Sequence, residues 1–173
     1  MRLRPGLRKL VLSTHLVVSV GWIGAVAAYL SLDVATVIGD DPGTLRAAYA
    51  GMDLIAQTVI VPLAIATLTT GIIISLGTRW GLFRHYWVVI SLLLTTLATA
   101  VLLSETRTIS ALAGIAADPV TTAEGLSELS STLVHSIGGL LVLLSILVLN
   151  VYKPRGMTRY GWRKQTGHEA RDM

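Results

Sequence analysis

Residues Val11–Leu32 read VLSTHLVVSVGWIGAVAAYLSL, a run that contains no Asp, Glu, Lys or Arg. Three further windows also lack these four residue types: 54–78, 85–104 and 129–152. Each window is about as long as the roughly 20 residues that an α-helix needs to cross the hydrocarbon core of a bilayer. The rest of a 173-residue chain is too short to cover four such helices with protein. We therefore predict an all-α fold, a polytopic membrane four-helix bundle.

The predicted bundle is a single transmembrane domain with spans at about 8–32, 54–78, 85–104 and 129–152, followed by a basic tail over 153–173. The first span follows a basic stretch, as the core of a signal peptide does. However, its apolar run exceeds the roughly 7–15 residues of such a core and lacks a small-residue cleavage site, so we expect a retained helix. The composition agrees, because the chain is 14% charged whereas soluble domains contain about 25% charged residues.

The distribution of charge predicts the orientation of the helices. Of the 14 Lys and Arg residues, all except Arg46 and Arg107 lie before the first span, between the second and third spans, or in the tail. The first and third loops instead hold most of the acidic residues: Asp33, Asp40, Asp41, Asp53, Glu105, Asp118, Glu124 and Glu128. Because basic loops stay in the cytoplasm, we expect an up-down-up-down bundle in the bacterial cytoplasmic (inner) membrane with both termini cytoplasmic. The tail should lie along the anionic inner leaflet.

Several classes of function lack their sequence signature. The chain has no cysteine, which excludes disulfides, thiolate metal sites and cysteine nucleophiles. It has no Gly-x-Ser-x-Gly, His-Glu-x-x-His or phosphate-binding glycine loop. The net charge of +4 does not indicate nucleic-acid binding, since no basic stripe with interleaved aromatics is present. No predicted span contains a carboxylate pair, and no interrupted half-helices indicate a secondary transporter.

Local signals predict where helices begin, bend and pack. Asp41 should cap a helix that starts at Pro42. A capping box of Thr121 and Glu124 predicts that the fourth helix begins before the membrane, and Pro62 should kink the second span. One stripe of small or polar residues on each helix is expected to face the bundle centre: Gly21, Gly24 and Ala28; Thr67, Thr70, Gly71 and Ser75; Ser91, Thr95 and Thr99; Ser131, His135, Gly138, Gly139 and Ser145.

Histidines at membrane depth are the candidate functional residues. His15 lies in the inner half of the first span with Ser19 and Trp22 on its face, and His85 lies at the inner end of the third span. At about 1.5 Å of rise per residue, the two histidines differ by roughly 6 Å in depth. Facing imidazoles of this kind are the axial ligands of b-type haem. A structural role stays open, in which His15 hydrogen-bonds across helices and His85 lies at the interface.

His135, near the outer end of the fourth span, is a separate candidate metal ligand. At about 1.5 Å per residue it is roughly 18 Å from His15 in depth, so the two cannot share a metal. Its expected neighbours are Met52, Asp53, Gln57 and Thr99. Such a group would suit a copper or proton-relay site, although no spacing rule supports one.

Two sequence runs resemble a family of bacterial four-helix integral membrane proteins of unknown function. They are HLVVSVGWIGA over residues 15–25 and WGLFRHYWV over residues 80–88, and the resemblance covers about residues 7–152. It implies the fold and the membrane location, and it supplies no activity.

The first span is also similar, more distantly, to copper-resistance D-type proteins and to small membrane protoporphyrinogen oxidases. In the oxidases the first-span histidine is associated with haem, and only His15 matches it here, with Trp22 and Gly24 as supporting positions. This chain has half or fewer of the spans of the copper proteins and few methionines. It also has no recognisable equivalent of the second functional residue of the oxidases.

Three functions follow from these observations. The first is a non-enzymatic accessory or partner subunit of a membrane assembly. The second is a b-type haem redox protein that uses His15 and His85. The third is a small metal-handling or transport protein that acts as a homo-oligomer, with His135, Asp53 and Gln57 in its path. The expected partners are the lipid bilayer and a membrane protein or second copy, with no nucleic acid.

Overall fold

The computed structural model describes residues 4–78 and 81–169, with side chains up to residue 164. The described residues are all-α, as predicted, and four helical stretches among them are long and apolar enough to cross a membrane. Arg2, Arg79, Trp80 and Arg171, used above for charge or resemblance, lie outside the described residues. The helices are α1 (Pro5–Ile38), α2 (Pro42–Ile55), α3 (Val61–Gly77), α4 (Tyr86–Ala117), α5 (Ala123–Ser127), α6 (Leu133–Tyr152) and α7 (Arg159–Glu169).

The helices extend beyond the predicted spans at the end that carries the α1–α2 turn. Helix α1 continues to Ile38 and α4 to Ala117. Asp33 and Glu105 therefore lie within helices, and the prediction that they lie in loops is wrong. An apolar window ends at the first charge, whereas backbone hydrogen bonding in a helix continues past it. The predicted cap of α2 is confirmed: the Asp41 carboxylate accepts hydrogen bonds from the backbone and hydroxyl of Thr44, which hold its pKa below the usual range.

The connection between α4 and α6 differs from the prediction of one long fourth helix. Thr122, and not Thr121, caps the short helix α5 and accepts a hydrogen bond from the Gly125 amide at 3.2 Å. Helix α5 ends at Ser127, and α6 begins only at Leu133. Residues 129–132, assigned to the fourth span, are therefore not helical.

Proline in the second membrane helix produces a π-helical turn. Residues Ala56–Ile60 form this segment, and the amide of Val61 donates to the carbonyl of Ala56, five residues back. Pro62 follows directly; it has no amide proton, and its ring would clash with the carbonyl of residue 58 in a regular α-helix. The wider turn relieves that conflict, so the bend predicted at Pro62 takes the form of a π-helical segment.

The bundle core lies where α1 meets the other helices. Helix α1 contacts α2, α3 and α6, and α4 contacts the same three. Buried apolar side chains of different sizes form the centre: Trp22, Val26, Tyr29, Met52, Ala56, Ile60, Ala64, Ile109 and Leu143. A second cluster packs under the α4–α6 connection: Leu45, Tyr49, Leu112, Ala116 and Leu126.

The predicted inward stripes are correct for α4 and wrong for α1 and for the fourth predicted span, whose exposed members are Ser131, His135, Gly138 and Ser145. Ser91, Thr95 and Thr99 are buried, and Thr95 and Thr99 return their hydroxyl protons to carbonyls four residues back. In contrast, Gly24 and Ala28 are exposed on the outside of α1. Helix α1 instead buries Trp22, Val26 and Tyr29. These larger side chains fill the space between α1 and its neighbours at close-packed density.

Two contacts fix the connections at opposite ends of the bundle. The Arg46 guanidinium donates to the carbonyls of Ala116, Asp118 and Thr121 and so closes the α4–α5 connection. At the other end, residues 156–161 lie against the segment before α4. Met157 pairs with His85 in an antiparallel bridge.

Candidate functional site

A cavity of about 870 Å³ lies between α1, α3, α4 and α6. Its lining comes from the start of α1, the end of α3, the start of α4 and the end of α6, which together are called the basic end below. Arg8 and Lys153 contribute the charged lining residues. The volume falls within the roughly 300–1,000 Å³ of small-molecule sites, which are mostly apolar with a few polar groups that fix the ligand.

His15 lies in the wall of this cavity with a defined hydrogen bond. Its Nδ1 is 2.9 Å from the Thr70 hydroxyl oxygen, and Thr70 donates its own proton to the carbonyl of Ala66 at 2.6 Å. With the Thr70 proton on Ala66, the hydroxyl accepts from Nδ1–H of a neutral His15 ring, and Nε2 is the acceptor nitrogen of that tautomer. Gly71 fits against the ring, since a Cβ there would lie 3.3 Å from His15 Cε1.

Three buried hydroxyls that line the cavity lack hydrogen bonds among the described residues. One is Thr78 Oγ1 at the end of α3, and the other two, Ser19 Oγ and Thr67 Oγ1, lie within α1 and α3. Hydroxyls in membrane helices commonly return their proton to a carbonyl one turn back, as Ser75 does to Gly71 at 2.8 Å. Leaving a buried hydroxyl unpaired costs about 1–3 kcal/mol. These two groups are therefore suited to bind a molecule or water inside the cavity.

The structure brings two of the three predicted haem-site residues to one cavity. Trp22 is 3% exposed and lines the cavity together with His15. His85 is not among the lining residues; it precedes α4, and the bridge to Met157 ties its backbone to the tail. The Thr158 amide adds a hydrogen bond to the Arg84 carbonyl at 3.0 Å. Ligation of one haem by both histidines thus stays a prediction that this geometry does not favour.

Residues of the predicted metal group around His135 take part in two separate polar contacts. His135 Nε2 lies 3.8 Å from a Glu105 carboxylate oxygen, and its side chain is 56% exposed. Asp53 and Gln57 are joined through Ser110, which donates to Asp53 at 2.6 Å and accepts from Gln57 at 3.1 Å. Within residues 4–78 and 81–169, no three His, Cys, Asp or Glu side chains are placed to hold a metal ion.

Sequence reasoning missed Asp33, which is fully buried near the other end of α1. It was counted as a loop acid because it ends the first apolar window. The available signal was its helical spacing from Trp22, Val26 and Tyr29, which places all four on one face of α1 if the helix continues.

No protein family, curated protein or solved structure matches this chain. The resemblance to an uncharacterised four-helix family therefore stays a prediction.

Proposed function

We propose that this chain is a multi-pass protein of the bacterial cytoplasmic membrane that binds a small, largely apolar molecule in its cavity. It acts as a non-enzymatic accessory subunit, with a membrane protein or a second copy as partner. The observation that carries the proposal is the pair of unpartnered hydroxyls, Ser19 and Thr67, in the wall of an 870 Å³ cavity. In lipid, such groups lower their free energy by binding a polar atom that enters with an apolar body.

The residues around the cavity define the ligand class. Ser19 and Thr67 supply hydroxyl donors, and the free Nε2 of His15 supplies an acceptor or a metal ligand. Arg8 and Lys153 place positive charge in the lining at the basic end. The expected ligand is an amphiphile with an apolar body, an oxygen acceptor within it and an acidic group that lies near the two cations.

We also propose an orientation for the helices, from the distribution of basic residues. Basic residues flank the ends of the helices around the cavity, and basic segments stay in the cytoplasm. The helices then run up-down-up-down, both termini are cytoplasmic, and the cavity belongs to the inner half of the membrane.

A reporter enzyme that works only in the cytoplasm is expected to be active when it is fused after residue 173, because the positive segments resist translocation. A second reporter that works only outside should be active when it is inserted in the α1–α2 turn, residues 39–41. Paired fusions in whole cells measure both positions. An external reading from the C-terminal fusion would overturn the orientation.

A bound molecule is expected in protein purified gently from its native membrane. Native mass spectrometry should show an added mass in the wild type that Ser19→Leu loses, since leucine removes a hydroxyl and fills part of the cavity. Ser145→Leu is the matched control, because Ser145 is exposed on α6, and it should keep the added mass. Equal retention in both variants, or a wild type without added mass, would contradict ligand binding in the cavity.

Haem is a second candidate ligand, favoured only by the free Nε2 of His15 beside Trp22. Arg8 and Lys153 would pair with its propionates, and when bound it would supply one-electron redox chemistry. The visible spectrum of the same preparation distinguishes this candidate. A Soret band that His15→Ala abolishes would identify haem, and a colourless preparation with an added mass would identify another amphiphile.

A further inference from the structure

Asp33 is the carboxylate most deeply enclosed among the described residues, with 0% of its surface exposed. It lies on α1 five residues before the helix ends at Ile38. One oxygen, Oδ2, accepts hydrogen bonds from Thr132 Oγ1 at 2.9 Å and from Ser136 Oγ at 2.7 Å. The Tyr29 hydroxyl lies 2.9 Å from Thr132 Oγ1 and extends this network.

The polar surroundings of Asp33 come from the start of α6. Thr132 is the N-cap of α6, and Ser136 lies in its first turns. The carboxylate is therefore close to the positive end of the α6 dipole and receives two hydroxyl donors.

The second oxygen of the same carboxylate is not satisfied. Asp33 Oδ1 is buried and has no hydrogen-bond partner among the residues that the structure describes. The titratable groups that interact with Asp33 or with its neighbour Tyr29 are Tyr49 on α2 and Glu105 on α4. On α6, His135 faces Glu105 and is largely exposed. None of these groups places a fixed positive charge beside Oδ1, and a buried charge is stable only when it is paired.

We propose that Asp33 binds one small monovalent cation, sodium, through Oδ1, with the hydroxyl oxygens of Thr132 and Ser136 beside it. Hard oxygen donors select hard cations, and a single carboxylate among neutral oxygens balances a single positive charge. Calcium and magnesium take more oxygen ligands or retain several waters, and the described residues hold no group of three acidic or histidine side chains. The site is independent of the cavity ligand, which lies at the basic end.

The test is the thermal stability of the purified protein in uncharged detergent, measured against sodium concentration. N-methylglucamine replaces sodium so that ionic strength and pH stay constant. A ligand that binds only the folded state raises the midpoint logarithmically above its Kd, by about 4 °C for each tenfold increase in a chain of this size. We expect this dependence in the wild type and its loss in Asp33→Asn, which keeps the side-chain size and removes the charge.

Two further variants separate the site from general charge effects. Ser136→Ala removes one oxygen beside the cation and should move the sodium dependence to higher concentration. Asp53→Asn is the matched control, since Asp53 already pairs with Ser110, and it should respond to sodium like the wild type. A wild-type midpoint indifferent to sodium would overturn the proposal, as would an unchanged response in Asp33→Asn. A midpoint that follows pH and not sodium would instead assign a proton to Asp33 and reject the cation.

Discussion

Arg46→Ala is expected to lower the free energy of unfolding by about 3 kcal/mol, because its guanidinium satisfies three backbone carbonyls at and beyond the end of α4. The last carbonyls of a helix have no partner within it, and hydrogen bonds from a charged donor contribute about 1.5–3 kcal/mol each before solvent exposure reduces them. Arg46 is half-buried, so solvent screening brings the expected loss below the roughly 4.5–9 kcal/mol that three such bonds would sum to. The corresponding fall in melting temperature is about 6–12 °C for a chain of this size.

Thermal unfolding in detergent, followed by circular dichroism, measures this effect. Arg107→Ala is the control, since Arg107 is exposed on α4 toward the same end of the bundle and should change the midpoint by less than about 2 °C. Arg46→Lys should fall between the wild type and Arg46→Ala, because an ammonium group lacks the planar fork that reaches several carbonyls. Equal midpoints for the two alanine variants would show that the contacts at Arg46 do not hold this connection.

Gly161→Ala is expected to release the tail from the segment before α4. A Cβ at residue 161 would clash with the carbonyl oxygen of Arg84 and lie 3.2 Å from its carbonyl carbon. Backbone atoms cannot move aside as a flexible side chain does, so α7 must shift away. That shift would break the hydrogen bonds from the Thr158 amide to Arg84 and from the Thr158 hydroxyl to Phe83.

Limited trypsin digestion reports the release, because Arg159, Arg163 and Lys164 lie in the tail. Two lost hydrogen bonds of about 1 kcal/mol each increase the open population roughly thirtyfold, and cleavage follows that population when reclosing is fast. Gly156→Ala is the matched control: its Cβ would lie 3.5 Å from a Tyr86 ring carbon, an ordinary contact, and the added methyl group is the same. A tail that is cleaved equally in both variants would contradict the close approach at Gly161.

The amino-acid sequence alone determined those features of the fold that depend only on residues close together in the chain. Whether a segment can cross a bilayer depends on its length and on the summed free energy of transferring its own residues from water to lipid. Four charge-free windows were therefore enough to predict four helices of spanning length. The cap at Asp41 and the buried face of Ser91, Thr95 and Thr99 also follow from local rules of capping and helical spacing.

The candidate sites depend on how the helices are rotated and how deeply each one lies beside the next. His15 meets Thr70 across 55 positions of sequence, and Asp33 meets Ser136 across 103. The helical period in a single sequence shows which residues share a face of a helix, but not how neighbouring helices are aligned. Lipid solvates every apolar face equally well, so only close packing and polar contacts between helices determine which faces meet. For that reason the sequence alone identified His15 and Trp22 as one face of α1. The cavity beside them, the separation of His85 from it and the burial of Asp33 were decided by the tertiary structure.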